Sequence, residues 1–148
     1  MIYEGTNEIQ ALDLLCRKIL PDGAKKLNSL LDELLATSSN APTLQRNNLE
    51  KFVNRQREVT QKLLSGIVDD AEWPQRVATD YLKGMAYTLL AWSWAKVSET
   101  IASNPDSNSN NFYREQNELS DFGVNWLADE GMLAWSRVEK QEEPLPWI

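Results

Sequence analysis

The stretch that decides the fold is residues 77–97, VATDYLKGMAYTLLAWSWAKV. Apolar side chains recur there at three- and four-residue spacing, and further small and aromatic residues widen the stripe around most of a helix. The main stripe is Val77, Ala78, Tyr81, Leu82, Met85, Leu89, Trp92 and Val97, widened by Ala86, Leu90, Ala91 and Trp94. A helix that is apolar on most sides is typical of the centre of a bundle. We therefore expect this segment to be the central helix of an all-α protein.

Prolines divide the rest of the chain into helical segments, because proline breaks a helix interior. The predicted helices cover approximately residues 6–20, 24–37, 43–69 and 74–103, and a fifth begins near residue 111. Glycine is a poor helix former, so Gly123 and Gly131 predict a fifth helix that is kinked or split near residues 128–131. Residues 104–111 are predicted to be a loop, and residues 139–148 an irregular acidic tail. Since no alternating strand pattern appears, the predicted fold is an antiparallel bundle of four to five helices.

Composition excludes several classes of function. The chain has 148 residues, a net charge of −7, no histidine and one cysteine. Histidine-dependent catalytic triads and histidine metal sites are therefore excluded, as are an internal disulfide and a CxxC site. The acidic balance argues against a nucleic-acid-binding face. No apolar stretch reaches the length of about 20 residues that a membrane span needs, and no targeting signal is apparent, so a cytoplasmic location is expected.

The most specific motif lies in residues 2–18, IYEGTNEIQALDLLCRK. This stretch closely resembles the signature near the end of the catalytic domain of acyl-CoA dehydrogenases, I-Y-E-G-T followed by an I-Q helix. Cys16 departs from the small residue often found there. A weaker resemblance continues through residues 79–95 and 112–114 to the helical extension of a subset of these enzymes. The resemblance implies two parts, residues 1–20 from the end of a dehydrogenase domain and residues 21–148 as a C-terminal helical bundle.

The resemblance also implies roles for four residues. Glu4 would be the catalytic base, which takes a proton from the α-carbon of an acyl-CoA thioester while a hydride leaves the β-carbon for FAD. Water exclusion by a bound acyl chain makes a carboxylate a stronger base. Gly5 would let the substrate approach the backbone, and Thr6 and Glu8 would lie near the FAD. The parent enzyme would pass electrons to an electron-transfer flavoprotein and form a homo-oligomer.

Most flavin and thioester contacts in that family come from domains that precede this segment. We therefore expect a C-terminal portion of an acyl-CoA dehydrogenase that is inactive as an isolated chain. The alternative is a helical dimerisation or interaction module, whose subunit interface would be formed by an exposed stripe of Leu12, Leu15 and Ile19 together with the six tryptophans. A third hypothesis is nucleic-acid binding by basic residues of the third helix, but interleaved Glu50 and Glu58 oppose it. The basic residues are Arg46, Lys51, Arg55, Arg57 and Lys62.

Two further features carry weaker expectations. Cys16 is predicted to be buried and unreactive on the apolar side of the first helix. Trp92 and Trp94 lie about 200° apart on a helix, so they must face different sides. We expect one of the two in the core, with the other covering the first helix or meeting another chain.

Overall fold

The computed structural model describes residues 4–104 and 110–140, with the Glu4 side chain excepted. This part of the chain contains five α-helices and no strand, which confirms the all-α fold. The helices are α1 (Glu4–Leu12), α2 (Lys25–Ala36), α3 (Thr43–Gly66), α4 (Trp73–Ala102) and α5 (Asn111–Lys140). The predicted irregular tail lies almost wholly outside the described residues, and so does most of the predicted loop before α5. No helix in the described ranges has the length and apolar character required to cross a bilayer.

Helices α3, α4 and α5 form the body of an antiparallel bundle. Near the junction of α3 and α4, Gly66 lies against Trp73. One or two turns further along, the hydroxyls of Thr60 and Tyr81 are 2.6 Å apart. This order of contacts requires the two helices to run in opposite directions. Helix α4 packs against α1, α3 and α5, so the prediction that it is the central helix is confirmed.

The segment after α1 departs from a regular α-helix. Residues Asp13–Ile19 form a π-helix, and Leu20–Asp22 form a short 3-10 turn that ends at Gly23, where φ is +65°. The three- and four-residue spacing of Ile9, Leu12, Cys16 and Ile19 predicts that these four residues share the apolar face of the first helix. Instead the buried residues are Ala11, Leu15 and Ile19, while Ile9 and Leu12 are exposed. The face against α4 is therefore rotated from the predicted one.

Helix α5 runs unbroken from Asn111 to Lys140, so the predicted split near residues 128–131 is wrong. Gly131 faces the core, and a Cβ built on it would lie 2.2 Å from Cε1 of Phe52 and 3.0 Å from Cβ of Tyr87. Glycine is needed there because helices α3 and α4 approach the α5 backbone closely. Glycine has a low helix propensity, but at position 131 its missing side chain allows the three helices to pack closely.

A single cluster of buried side chains runs through all five helices. It includes Leu15 from the first segment, Leu31 from α2, Phe52 from α3, Tyr81 from α4 and Trp135 from α5. The rings of Tyr81 and Trp135 meet edge to face, with centroids 5.2 Å apart. The first 20 residues thus share their core with the bundle.

Candidate functional site

The predicted catalytic segment forms the first turns of α1. Glu4 is the first helical residue, and its side chain lies outside the described part of the structure. Gly5, Thr6 and Glu8 are all exposed. Nothing lies within 4 Å of the position that a Cβ on Gly5 would occupy. The described residues therefore leave this turn open to a bulky group, as the role implied for Gly5 requires.

A groove begins one turn further along α1. Its volume is about 640 Å³. The apolar part of its wall comes from Ile9, Leu12, Leu14 and Cys16, and the polar part from Gln10, Asp13, Arg17, Lys18 and Gln75. Arg17 pairs with Asp13 at 2.9 Å, and Arg17 and Lys18 are exposed. The groove thus combines an apolar wall with two cations at its border.

The half-buried thiol of Cys16 lies in the wall of this groove. Burial raises the pKa of the Cys16 thiol above its ordinary value. Because the thiolate is the reactive form, a raised pKa makes this cysteine a weaker nucleophile at neutral pH. The expectation of an unreactive side chain agrees with this direction, although Cys16 is less buried than predicted.

Thr6 and Glu8, the residues implied to lie near FAD, do not form an enclosed site with the other described residues. Thr6 and Glu8 lie exposed on a single helical turn, and the carboxylate of Glu8 would repel a pyrophosphate. Among the described residues, no cluster of acidic or cysteine side chains has the arrangement needed to hold a metal ion.

A second surface lies on the outside of α5. Phe112, Leu119, Phe122, Trp126 and Leu133 are exposed there, and we call these five residues the α5 outer face. Sequence periodicity predicts these five residues and Val138 as the apolar positions of the fifth helix, but only Val138 is buried. The buried face is instead built largely from smaller residues, including Ser120, Gly123, Val124, Gly131 and Ala134, together with Leu127, Trp135 and Val138. The small residues were the missed signal, because they allow close helix packing that apolar periodicity does not reveal.

The interface expected on the first helix is not available. Leu15 and Ile19 are buried in the core, and only Leu12 of that stripe is exposed. The part of the interface predicted at Leu15 and Ile19 is therefore wrong, whereas Trp126, one of the tryptophans in the same prediction, is exposed on α5. The α5 outer face is the larger exposed apolar surface.

The basic residues of α3 are largely engaged by carboxylates. Lys62 binds Glu139 at 2.9 Å, Arg55 also pairs with Glu139, and Arg57 pairs with Asp32 of α2. These contacts neutralise three of the five cations that the nucleic-acid hypothesis used. The arrangement on α3 serves helix packing.

Trp92 and Trp94 face different sides of α4, as the helical period requires. The indole nitrogen of Trp92 donates to the Thr37 hydroxyl at 3.1 Å, at the end of α2. The Trp94 ring lies against Gly123 of α5. Both rings are half-buried, and Trp92 packs against the core cluster as expected of one of the two, whereas Trp94 contacts α5.

Comparison with known protein families, with curated proteins and with solved structures gave no match.

Proposed function

We propose that this chain is the C-terminal portion of an FAD-dependent acyl-CoA dehydrogenase. The observation that carries the proposal is the resemblance of residues 2–18 to the family's catalytic signature, with Glu4 at the position of the base. Glu4 would accept the proton from the α-carbon of the acyl thioester. Gly5 would admit the thioester, and Thr6 and Glu8 would border the flavin, whose other contacts come from the rest of the enzyme. The proposed location is the cytoplasm.

The groove beside α1 supports this proposal. Its apolar wall is suited to an acyl chain, and the exposed Lys18 at its border is suited to a phosphate of a coenzyme A carrier, whereas Arg17 is paired with Asp13. Ile9 lies five residues after Glu4, about 7.5 Å along a helix. The proposed base and the groove are therefore close enough to act on the same ligand.

The test is to determine the coding sequence upstream of Met1 and to express the longest frame that contains this chain. We expect a yellow protein that dehydrogenates acyl-CoA and passes electrons to an electron-transfer flavoprotein. Glu4→Gln should lower kcat by about 10²-fold or more while flavin binding is retained, because a general base contributes that much. Glu33→Gln, on the exposed side of α2, is the matched control.

Two results would contradict the proposal. One is a longest frame that yields no flavoprotein, alone or with a co-expressed neighbouring gene product. The other is full activity in Glu4→Gln. For the isolated chain we expect no flavin absorbance, so stoichiometric flavin bound to it would contradict the expectation of inactivity.

The exposed α5 outer face favours a second candidate function, a non-catalytic interaction module. Monomeric proteins seldom leave a contiguous apolar surface of this kind uncovered. If this function holds, Phe122→Ser with Trp126→Ser should abolish association with the partner without changing helix content. Sedimentation measures the association, and circular dichroism measures the helix content. Unchanged association in the double variant would exclude this face as the interface.

A further inference from the structure

The α5 outer face has the spacing of a helix-packing surface. Its residues follow one another at intervals of seven, three, four and seven positions, which keeps them on one side of a helix. The opposite side of α5 carries Val124, Leu127, Trp135 and Val138 into the core. Helix α5 is therefore apolar on two opposite faces, and the bundle covers only one of them.

The exposed area is large for a monomer. Phe122 is 67% exposed and Trp126 is 58% exposed. An aromatic side chain buries about 150–250 Å² when fully covered, so these two alone offer roughly 200 Å². The adjoining groove between α4 and α5 extends the surface, since Val97 and Phe112 both line it. Exposed apolar residues grouped on one helix face in this way are often part of an interaction site.

Charge decides what kind of partner fits. Residues 115–136 contain five carboxylates and no lysine or arginine. Glu115 and Asp129 lie seven positions either side of Phe122, and Glu118 and Glu130 border the same face. All four are exposed, and none of them has an ion-pair partner in the described part of the chain. The apolar stripe is thus framed by unneutralised negative charge.

A second copy of this face is a poor occupant. Helix α5 carries five carboxylates between residues 115 and 130, and its cations Arg114, Arg137 and Lys140 lie only near its ends. In a pairing of two α5 outer faces, the carboxylates of the central turns would therefore lie mostly against other carboxylates. Like charges brought together at an interface are destabilising. Nucleic acid and anionic lipid are also poor occupants, because the carboxylates beside this face would repel their negative charge.

We propose that the α5 outer face binds a basic amphipathic helix of another protein. Such a helix would place its apolar stripe on Leu119, Phe122 and Trp126, and its lysines or arginines against the flanking carboxylates. The proposal rests on the second candidate function and specifies its partner class.

The test measures binding of two synthetic 21-residue helical peptides, each with leucine along one face and either lysine or glutamate along both borders. Fluorescence anisotropy of the labelled peptides is the readout. We expect the lysine peptide to bind and the glutamate peptide not to bind. Phe122→Ser with Trp126→Ser should weaken binding at least about tenfold, since buried aromatic residues dominate such interfaces. Glu118→Lys with Glu130→Lys should weaken it similarly and allow the glutamate peptide to bind.

Matched control variants distinguish binding at the α5 outer face from non-specific binding of the peptide. Val68→Ser removes an exposed apolar side chain elsewhere, and Glu50→Lys with Asp69→Lys reverses two charges elsewhere. Both controls should bind the lysine peptide within about twofold of the wild type. Thermal unfolding of each variant confirms that it folds.

Several outcomes would overturn the proposal. Equal binding of both peptides would mean that charge does not select the partner. Binding that ignores the Phe122 and Trp126 substitutions would show only general attraction to an acidic protein. A dimer in sedimentation that Phe122→Ser with Trp126→Ser dissociates would keep the interaction module but make the occupant a second copy. A monomer that binds neither peptide would contradict the partner class and the interaction module together.

Discussion

At the residue scale, glycines mark where helices touch. Gly84 lies under the Trp135 ring, Gly123 under Trp94, and Gly131 under Phe52. Helix propensity is a local property, and by that measure Gly123 and Gly131 predict weak points in the fifth helix. Their close contacts come from other helices, so no local pattern could have predicted them.

Gly131→Ala tests this reading of the glycines. The new methyl would lie 2.2 Å from Phe52, so the core must shift, and we expect a loss of about 1–3 kcal/mol in the free energy of unfolding. Gly5→Ala is the matched control, since its methyl meets nothing and alanine favours helix. Denaturant unfolding measures both. Equal stability of Gly131→Ala and the wild type would show that the contact is not close in solution.

Tyr81 predicts an alkaline loss of stability. Burial raises the pKa of Tyr81 to about 12, against about 10 in an unfolded chain. The folded protein therefore keeps the phenol proton after the unfolded chain has lost it. This contribution is fully present below pH 10 and is lost as pH rises towards 12, at up to about 1.4 kcal/mol per pH unit.

Tyr81→Phe should remove that pH dependence. It should also cost about 1 kcal/mol at neutral pH, because the hydrogen bond with Thr60 is lost. Thr60→Val is the control, since it removes the bond and keeps the titrating phenol. Unfolding in denaturant at pH 8 to 11 provides the measurement. A slope against pH that is the same in Tyr81→Phe and the wild type would contradict the assignment.

At the element scale, ion pairs connect the end of α5 to α3. The carboxylate of Glu139 forms ion pairs with Lys62 and Arg55, which lie two turns apart on α3. Burial of Glu139 raises the pKa of its carboxyl, but the hydrogen bonds from Lys62 and Arg55 outweigh burial and hold the pKa below its ordinary value. This cluster fixes how α5 lies along α3.

Glu139→Gln should lower the free energy of unfolding by about 1 kcal/mol at pH 7, the upper range for partly exposed pairs. Because the folded pKa is lowered, the contribution is present above the unfolded pKa near 4.3 and is lost as pH falls through the folded value. The difference between variant and wild type should therefore shrink below about pH 4. Glu58→Gln, which removes only an exposed partner of Arg55, should have the smaller effect. A difference that does not change with pH would contradict an electrostatic origin.

The π-helical segment is the element that sequence could not predict. Its spacing of apolar residues is compatible with an ordinary α-helix, and the wider turn at Asp13–Ile19 has no local signature. The wider turn changes which residues face α4. For this reason Leu15 and Ile19, which were expected at an exposed interface, are buried in the core, and only Leu12 is exposed.

At the scale of the whole molecule, the first helical segment belongs to the common core. Leu15 is 0% exposed, whereas Leu12, three residues earlier, is 37% exposed. Leu15→Ala should lower the stability of the entire bundle by about 2–5 kcal/mol, while Leu12→Ala should cost much less. The thermal unfolding transition is the measurement. If Leu15→Ala released α1 and left the transition of the remaining helices unchanged, residues 1–20 would be a separate unit.

The sequence by itself determined the all-α class, the approximate bounds of the helices and the central position of α4. These follow from proline positions and helical periodicity, which act within a few residues. It also supplied the resemblance that motivates Glu4 as a base, which remains a prediction. Only the tertiary structure decided which apolar faces are covered. Burial depends on how closely neighbouring helices approach, and small residues such as Gly123 and Ser120 set that approach on α5. The large apolar residues of α5 lie outside the bundle, where they form an exposed apolar surface.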